Sequence, residues 1–567
     1  MDGTKNTEHL ISKNSSVEVS SRGSIYAGEN DGDNRSGFHV PENAVDVDNE
    51  LYEPDWFSES IDRIKWFRVK TRPSLSLVIG LTFIYSLSVS IASASMLQLI
   101  FELVCRDGKR INPDYKCSDA DSQKLISELQ TVSMFGANLI SALVSGKLGE
   151  LSDHYGRKPI LIITISFSLI SKLMEINLIS PNQQVFHKSL LIFAEFTLNI
   201  GGGTIVCICM INSYVSDIVD DKSRVYSMGL VGASSSIAIA LAPQMGNLML
   251  KITNSKMSVI YAEPTICLIA LLYIMFLLPE SRSLLERRKS INDFKQSRES
   301  RLSSLDGDNK WSLSSSRFFH VINFFSPFRL FWLDKYEEDG VTVNYQRRIN
   351  FLLILVFECC TVVAIFVFLS ISVLYGTYVF HWDAISMNYY LTLEMASRSV
   401  VLLVITPILL KFVRKFYTSS GKHLDMVDLI IVRVAISIEV IGDFFFIIAT
   451  SSKSLLLGSI LISFGSLHTP TIKSAIIKYT PPGKVGEMLG AVSLLNNLVL
   501  LVLPSLLMSL YSKTVETNPR TVFCIAGGLS SIALISSLLM RPVSEEVIAF
   551  DQERDANIGI LSEDPTL

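Results

Sequence analysis

Several ionisable side chains stand inside stretches that are otherwise apolar, where charge is costly and tends to mark function. Glu195 is followed by Asn199 and by Gly201-Gly202-Gly203. A carboxyl group in apolar surroundings is suited to binding and releasing a proton or to holding a solute; a hydrogen-bonded structural acid is the plainer alternative. Glu394 and Arg398 are four residues apart, acid first, so they share a helix face in the favourable order. Such a pair reads as a neutralised link between helices more readily than as a substrate clamp, because a lone buried charge is expensive. Glu358 and His468 are further substrate or proton candidates. Histidine is the side chain that titrates near neutrality, although Thr469-Pro470 after it equally suits a packing kink. The chain has no Gly-x-x-x-x-Gly-Lys-Ser/Thr loop, no metal-ligand spacing and no nucleophile triad. Neither an enzyme, a cofactor nor a metal is expected.

The elements that carry these residues follow from composition. Of 567 residues 49% are hydrophobic and 18% charged, against a usual charged share of about 25%. The mean hydropathy is +0.38. The net charge of −4 gives no case for nucleic acid. Polar residues are segregated. Residues 1–72 are rich in Ser, Asn, Asp, Glu and Gly and read as a disordered tail without a signal peptide. From Ser74 to Phe101 there is no Asp, Glu, Lys or Arg, which is enough to cross a bilayer. Runs of spanning length follow at about 124–148, 159–179, 189–213, 225–250 and 257–279. After a polar stretch six more lie at about 351–375, 386–410, 426–450, 454–478, 487–511 and 520–540. In lipid each must be a helix. The expectation is an all-α membrane protein of 12 spans: a tail (1–72), a six-helix bundle (73–280), a central loop (281–349), a second bundle (350–541) and a short tail (542–567).

Lys and Arg near the membrane number 24 on the side of the tails and central loop against 11 on the other, which predicts that both termini are cytosolic. Cys105 and Cys117 fall in the first non-cytosolic loop and are a disulfide candidate. The other six cysteines lie in spans and read as packing residues. Residues 61–70 and 320–333 mix aromatic, apolar and basic side chains and could lie on the membrane surface. The rest of the central loop reads as a Ser- and Arg-rich regulatory linker.

Between spans two and three stands Gly149-Glu-Leu-Ser-Asp153-His-Tyr-Gly156-Arg157-Lys158. It resembles the loop signature of the major facilitator superfamily, glycine-x-leucine-x-aspartate-x-x-glycine-arginine-lysine, at every main position. Gly149 and Gly156 permit a cramped turn, Asp153 can meet a helix N-terminus, and Arg157 can bridge to Asp217 in Tyr214-Val-Ser-Asp217. The resemblance implies a gating network of Gly149, Asp153, Gly156, Arg157, Lys158, Asp217 and Arg224, which latches the two halves and breaks during transport. Span five carries Pro243 and Gly246 in a string similar to the glycine–proline signature of drug antiporters, with Ala242 and Asn247 where glycines are expected. Span six ends in Leu278-Pro279-Glu280-Ser281, a common superfamily ending, and Lys411-Phe-Val-Arg414-Lys415 keeps the charge of the signature in the second half.

The resemblance extends to the tetracycline-resistance-like and zinc-induced-facilitator-like transporters, a group with fungal vacuolar members. It implies two pseudo-symmetric bundles with spans one, four, seven and ten around a cavity. Glu195 is then the leading coupling candidate, and Arg433, Glu439 and Asp443 in span nine are structural. Gln244, Asn496 and Asn497 are read as polar helix contacts. The expected function is secondary active transport of a small solute by alternating access. The expected form is monomeric and proton-coupled, with antiport, efflux or vacuolar loading favoured. The alternatives are a transporter-like nutrient sensor and a proton-independent uniporter. Glu280-Ser-Arg-Ser-Leu284-Leu285 has an acidic-dileucine form, so the vacuolar membrane is favoured over the plasma membrane.

Overall fold

The computed structural model describes residues 72–111, 119–180, 185, 187–303, 326–332, 345–382, 384–417, 424–481 and 483–542. Among them every regular element is helical. Among the described residues ten helices are long and apolar enough to cross a membrane, and two more elements bring the order to twelve. Span one is Leu75–Ser90, continued beyond Ile91 and Ala92 as Ser93–Ile111. Span nine, Met426–Ile448, carries Asp428, Arg433, Glu439 and Asp443 within its 23 residues. Spans two and three are Asp119–Tyr155 and Arg157–Ile179; spans five and six are Arg224–Thr253 and Lys256–Phe276. Span seven is Tyr345–Phe380, span eleven Val485–Thr514 and span twelve Thr521–Leu539.

Besides span one, three spans are interrupted. Span four is Lys188–Ile200 followed by Gly203–Ile218; span eight runs from Ala384–Val400 through a π turn, Val401–Ile405, into Thr406–Arg414. Span ten is Ser452–Ser463, a 3-10 turn Phe464–Leu467, and His468–Lys478. Span four breaks because Gly202 and Gly203 adopt φ of 93° and 64°, where a Cβ is disfavoured. The Ser141 hydroxyl donates to the Gly202 carbonyl at 2.9 Å, satisfying a group that the broken helix leaves open. Gly202→Ala should cost at least about 1–2 kcal/mol from the backbone alone. An added methyl would also crowd Val206 and Leu148 at 2.7 and 2.9 Å. Thermal melts of the purified protein check this; an unchanged melting temperature would contradict the geometry.

Spans pack where small residues let backbones approach, as expected when lipid rather than water surrounds the helices. Gly246 of span five faces the Ile91 carbonyl at the break in span one, leaving 2.8 Å for a Cβ. Gly442 of span nine meets Gly458 of span ten in the same way. Large apolar side chains such as Ile252, Phe276 and Leu538 remain exposed on outer faces. The two halves meet chiefly along two helix pairs, span two against span eleven and span five against span eight.

The central segment differs from the expected linker. Leu284–Ser303 is a helix. The Glu286 N–H donates to the Ser283 hydroxyl at 3.2 Å and the Ser283 N–H returns to the Glu286 carboxylate at 3.4 Å, a capping box. It packs on the end of span two, with His154 Nδ1 3.0 Å from the Ser290 hydroxyl. The turn Ser326–Phe331, which with Trp332 is the described part of the stretch 320–333, packs on spans two and eleven. Pro327 is buried against Gly146 of span two, and the Phe331 ring lies 5.8 Å from Phe351 of span seven. Trp332, 69% exposed, carries the Arg348 guanidinium over its ring. Residues 1–71, including the amphipathic stretch 61–70, and 543–567 lie outside the described residues.

Candidate functional site

The signature loop is a buried junction of four spans. Gly156, at φ 102°, turns the chain from span two into span three. The Glu280 carboxylate then caps span three, accepting the N–H groups of Arg157 and Lys158 at 2.8 and 3.0 Å. Arg157, 1% exposed, donates from Nε to Asp217 at 2.9 Å and from Nη1 to Asp153 and to the Ser152 hydroxyl, both at 2.7 Å. The Ser281 hydroxyl donates to Asp217 at 2.9 Å, the Tyr214 hydroxyl to the Pro279 carbonyl at 2.7 Å, and Arg282 to the Asp153 carbonyl.

Asp153 links this junction to the other half of the molecule. Its two oxygens accept the N–H groups of Gly486 and Glu487, at 3.0 and 2.7 Å, at the N-terminus of span eleven. That geometry joins a full negative charge to the positive end of a helix dipole. Gly149 makes the approach possible. A Cβ there would overlap the Gly486 carbonyl oxygen and stand 2.9 Å from the Gly490 Cα. Lys158 is buried and donates to the Met275 carbonyl at 3.0 Å, within the first half. Arg224 pairs with Asp221 and makes no contact with the Arg157 network among the described residues.

The second half has a corresponding junction at a place the sequence pattern did not indicate. Lys478, ending span ten, donates to Asp428 at 2.6 Å and lies 3.5 Å from Asp425, which caps span nine. The signs are exchanged relative to Arg157 and Asp217, so a search for a second basic signature misses it. Arg414, in the string expected to preserve the signature, donates instead to the Lys222 carbonyl in the first half.

Within the spans the ionisable residues form two groups. Glu195 is not alone: it interacts electrostatically with Lys172 and Glu175 of span three. Lys172 lies 3.2 Å from Glu175 and 3.0 Å from Glu263 of span six. Glu195 therefore has its charged neighbours on spans three and six, which the resemblance makes peripheral. Asn199 donates to the Glu195 carbonyl at 3.0 Å. In the second half His468 Nε2 is 3.0 Å from Glu439, both fully buried, and Phe357 meets the imidazole edge-on at 5.1 Å. Gly465 makes room for the Glu439 carboxylate, which a Cβ would overlap. Asp443 is buried one turn further along. The second group lies beside the interruption of span ten, a relation that fits a discontinuous helix placing charge within the bundle.

Glu394 and Arg398 stand 4.0 Å apart, and Glu358 accepts the Asn496 amide at 3.3 Å. Sequence reasoning passed over Lys172, Glu175, Glu263 and Lys473. Counting every charge within each apolar run, including those near its ends, would have found them. It also took Glu280 and Arg282 for a family ending and loop charge. Because Glu280 caps span three, the acidic part of the dileucine string is already engaged. Cys105 is disulfide-bonded, and Cys117 lies outside the described residues. Cys207, Cys209 and Cys267 are free and buried. No cluster of three or more His, Cys, Asp or Glu that could hold a metal occurs among the described residues.

Twelve helices in two related sets, joined by a charged contact between spans two and eleven, define a multi-pass membrane transporter. The chain belongs to the Major Facilitator Superfamily, whose family model matches residues 78–421. It is 26% identical over 479 residues to an uncharacterized membrane protein of Saccharomyces cerevisiae, YJL163C, covering 83% of this chain and 85% of that one. It is 24% identical to the MFS-type transporter avaJ of Aspergillus versicolor, over 73% and 77% of the two chains. Among solved structures it resembles the human organic anion transporter MFSD10 at a TM-score of 0.58 and 16% identity, over 82% of this chain and all of that one.

Proposed function

We propose that this protein is a secondary active transporter in which two six-helix halves rock about a solute site between them. The observation that carries the reading is the Asp153 carboxylate seated on the N-terminus of span eleven. A contact made of hydrogen bonds to helix-end amides across two halves can break and re-form without unfolding either half. The proposed gating residues are Gly149, Asp153, Gly156, Arg157, Lys158 and Asp217. Arg224, paired with Asp221 and without contact to this network among the described residues, is left out of the gate, and Pro243 and Gly246 serve helix packing. The basic bias of the loops supports a cytosolic position for this end and for both termini. Efflux or vacuolar loading is favoured, with the protein acting as a monomer in the bilayer.

Proton coupling is supported by charge balance in the first half. Three carboxyl groups, Glu175, Glu195 and Glu263, share the single ammonium of Lys172. Uncompensated charge within a bilayer is costly, and protons are the simplest means of neutralising it. In proteoliposomes with an imposed pH gradient, Glu195→Gln should abolish gradient-driven solute flux while leaving counterflow of solute at equal pH intact. Gradient-driven flux equal to that of the wild type would remove Glu195 from coupling and leave a uniporter as the simpler mechanism.

A further inference from the structure

Lys473 is a cation within a span that the latch and the charge clusters leave unused. It lies on His468–Lys478, five residues before the end of span ten, and is half-buried. Other basic side chains inside the spans are matched. Lys172 has Glu175 and Glu263, Arg398 has Glu394, and Arg433 donates to the carbonyls of Ser537 and Met540. Lys473 makes no ion pair or side-chain hydrogen bond among the described residues. An unmatched ammonium in the membrane is expensive to keep.

Its surroundings belong to both halves. Lys473 and Glu358 each interact electrostatically with Cys209 of span four. The Cys209 thiol is 2.7 Å from the Ser493 hydroxyl of span eleven. One turn along, Asn496 gives its amide N–H to Glu358, while its buried Oδ1 has no hydrogen-bond partner. Asn497 is fully buried with neither side-chain polar atom bonded. Spans four, seven, ten and eleven thus converge on one polar region. At 1.5 Å per residue, Ser493 and Cys209 stand about 12–14 Å from the latch-end termini of their helices. A helical side chain leans toward its own N-terminus, which carries the Lys473 ammonium from the latch end toward the middle of the bilayer.

We propose that Lys473 is the counter-charge for the anionic group of the transported solute, a small carboxylate or phosphate held between the halves with Ser493 and Asn496 as neighbouring hydrogen-bond partners. This rests on the transport reading and names its substrate class. An ammonium suits it, because three donors around a point charge accept either anion without fixed geometry. Glu358, which holds the Asn496 amide, disfavours a second negative charge and selects for monoanions.

The test is a melting-temperature and flux screen of the full-length protein in detergent and in proteoliposomes. The probes are acetate, lactate, benzoate, succinate and inorganic phosphate, with glucose as a neutral solute and tetraethylammonium as a cation. At least one anion should stabilise the wild type and be carried. Its apparent affinity should fall roughly 10- to 150-fold in Lys473→Met, the loss expected for a hydrogen bond to a charged group, and be partly kept in Lys473→Arg. Because no ion pair is lost, Lys473→Met without ligand should melt no lower than the wild type; Lys473→Gln serves as the second neutral variant. A response to glucose or tetraethylammonium alone, a response to none of the probes, or anion affinity unchanged in both neutral variants would overturn the proposal. Flux of a neutral or cationic solute that these variants leave intact would do so while preserving the transport reading.

Discussion

Arg157→Gln should destabilise the protein by about 3–5 kcal/mol, the cost of removing one partner from a buried ion network. Two carboxylates depend on this guanidinium, Asp217 at 2.9 Å and Asp153 at 2.7 Å, and Arg157 is 1% exposed. Asp153 would keep its contacts with the Gly486 and Glu487 amides, whereas Asp217 would keep the hydrogen bond from the Ser281 hydroxyl. Arg157→Lys should restore little, since one ammonium cannot reproduce a fork donating in two directions. Denaturation of the purified variants measures the loss, and flux should fall with it. Wild-type stability and flux in Arg157→Gln would reduce the network to a solvated turn.

The second large effect is steric and falls on the closed arrangement rather than on folding. Gly149→Leu places a side chain where the Gly486 carbonyl and the Gly490 Cα already occupy the space. Each half can fold around the substitution, because the obstruction belongs to the other half. Overpacking of about 1–3 kcal/mol in the closed form lowers its population roughly 5- to 150-fold. The expected result is a near-normal melting temperature with strongly reduced flux. A cysteine placed at Ser145, buried beside Gly490, should gain reactivity toward a membrane-impermeant maleimide in a variant lacking the exposed Cys524. Unchanged labelling together with unchanged flux would show that the halves close without this contact.

The two residues differ in how legible they were. The types and spacing of Gly149, Asp153, Gly156 and Arg157 pointed to a cramped, charged turn, and Asp217 was a reasonable partner for Arg157. The helix that Asp153 would meet was not readable, because it begins more than three hundred residues away. Glu280 was hidden for a related reason: at the end of span six it looks like an ordinary loop charge, yet it caps span three. Lys478 with Asp428 escaped because the signs are exchanged. His468 was recognised and Glu439 was set aside as peripheral, although they form one buried pair. A fold template assigns whole helices to the cavity or the rim, whereas a side chain faces wherever its own turn of helix points.

What the sequence by itself determined was the partition of the chain between lipid and water. Lack of water in the bilayer core forces long apolar runs into helices, so their number, their order and the break between the sets of six follow from composition. It also determined which few charged residues remain inside. Which of those charges are matched was decided only by tertiary structure. Lys172 and Lys473 are both single lysines in apolar runs, but one meets two carboxylates while the other meets none among the described residues. The difference is set by helix rotation and packing, through which side chains far apart in the chain come within hydrogen-bond reach.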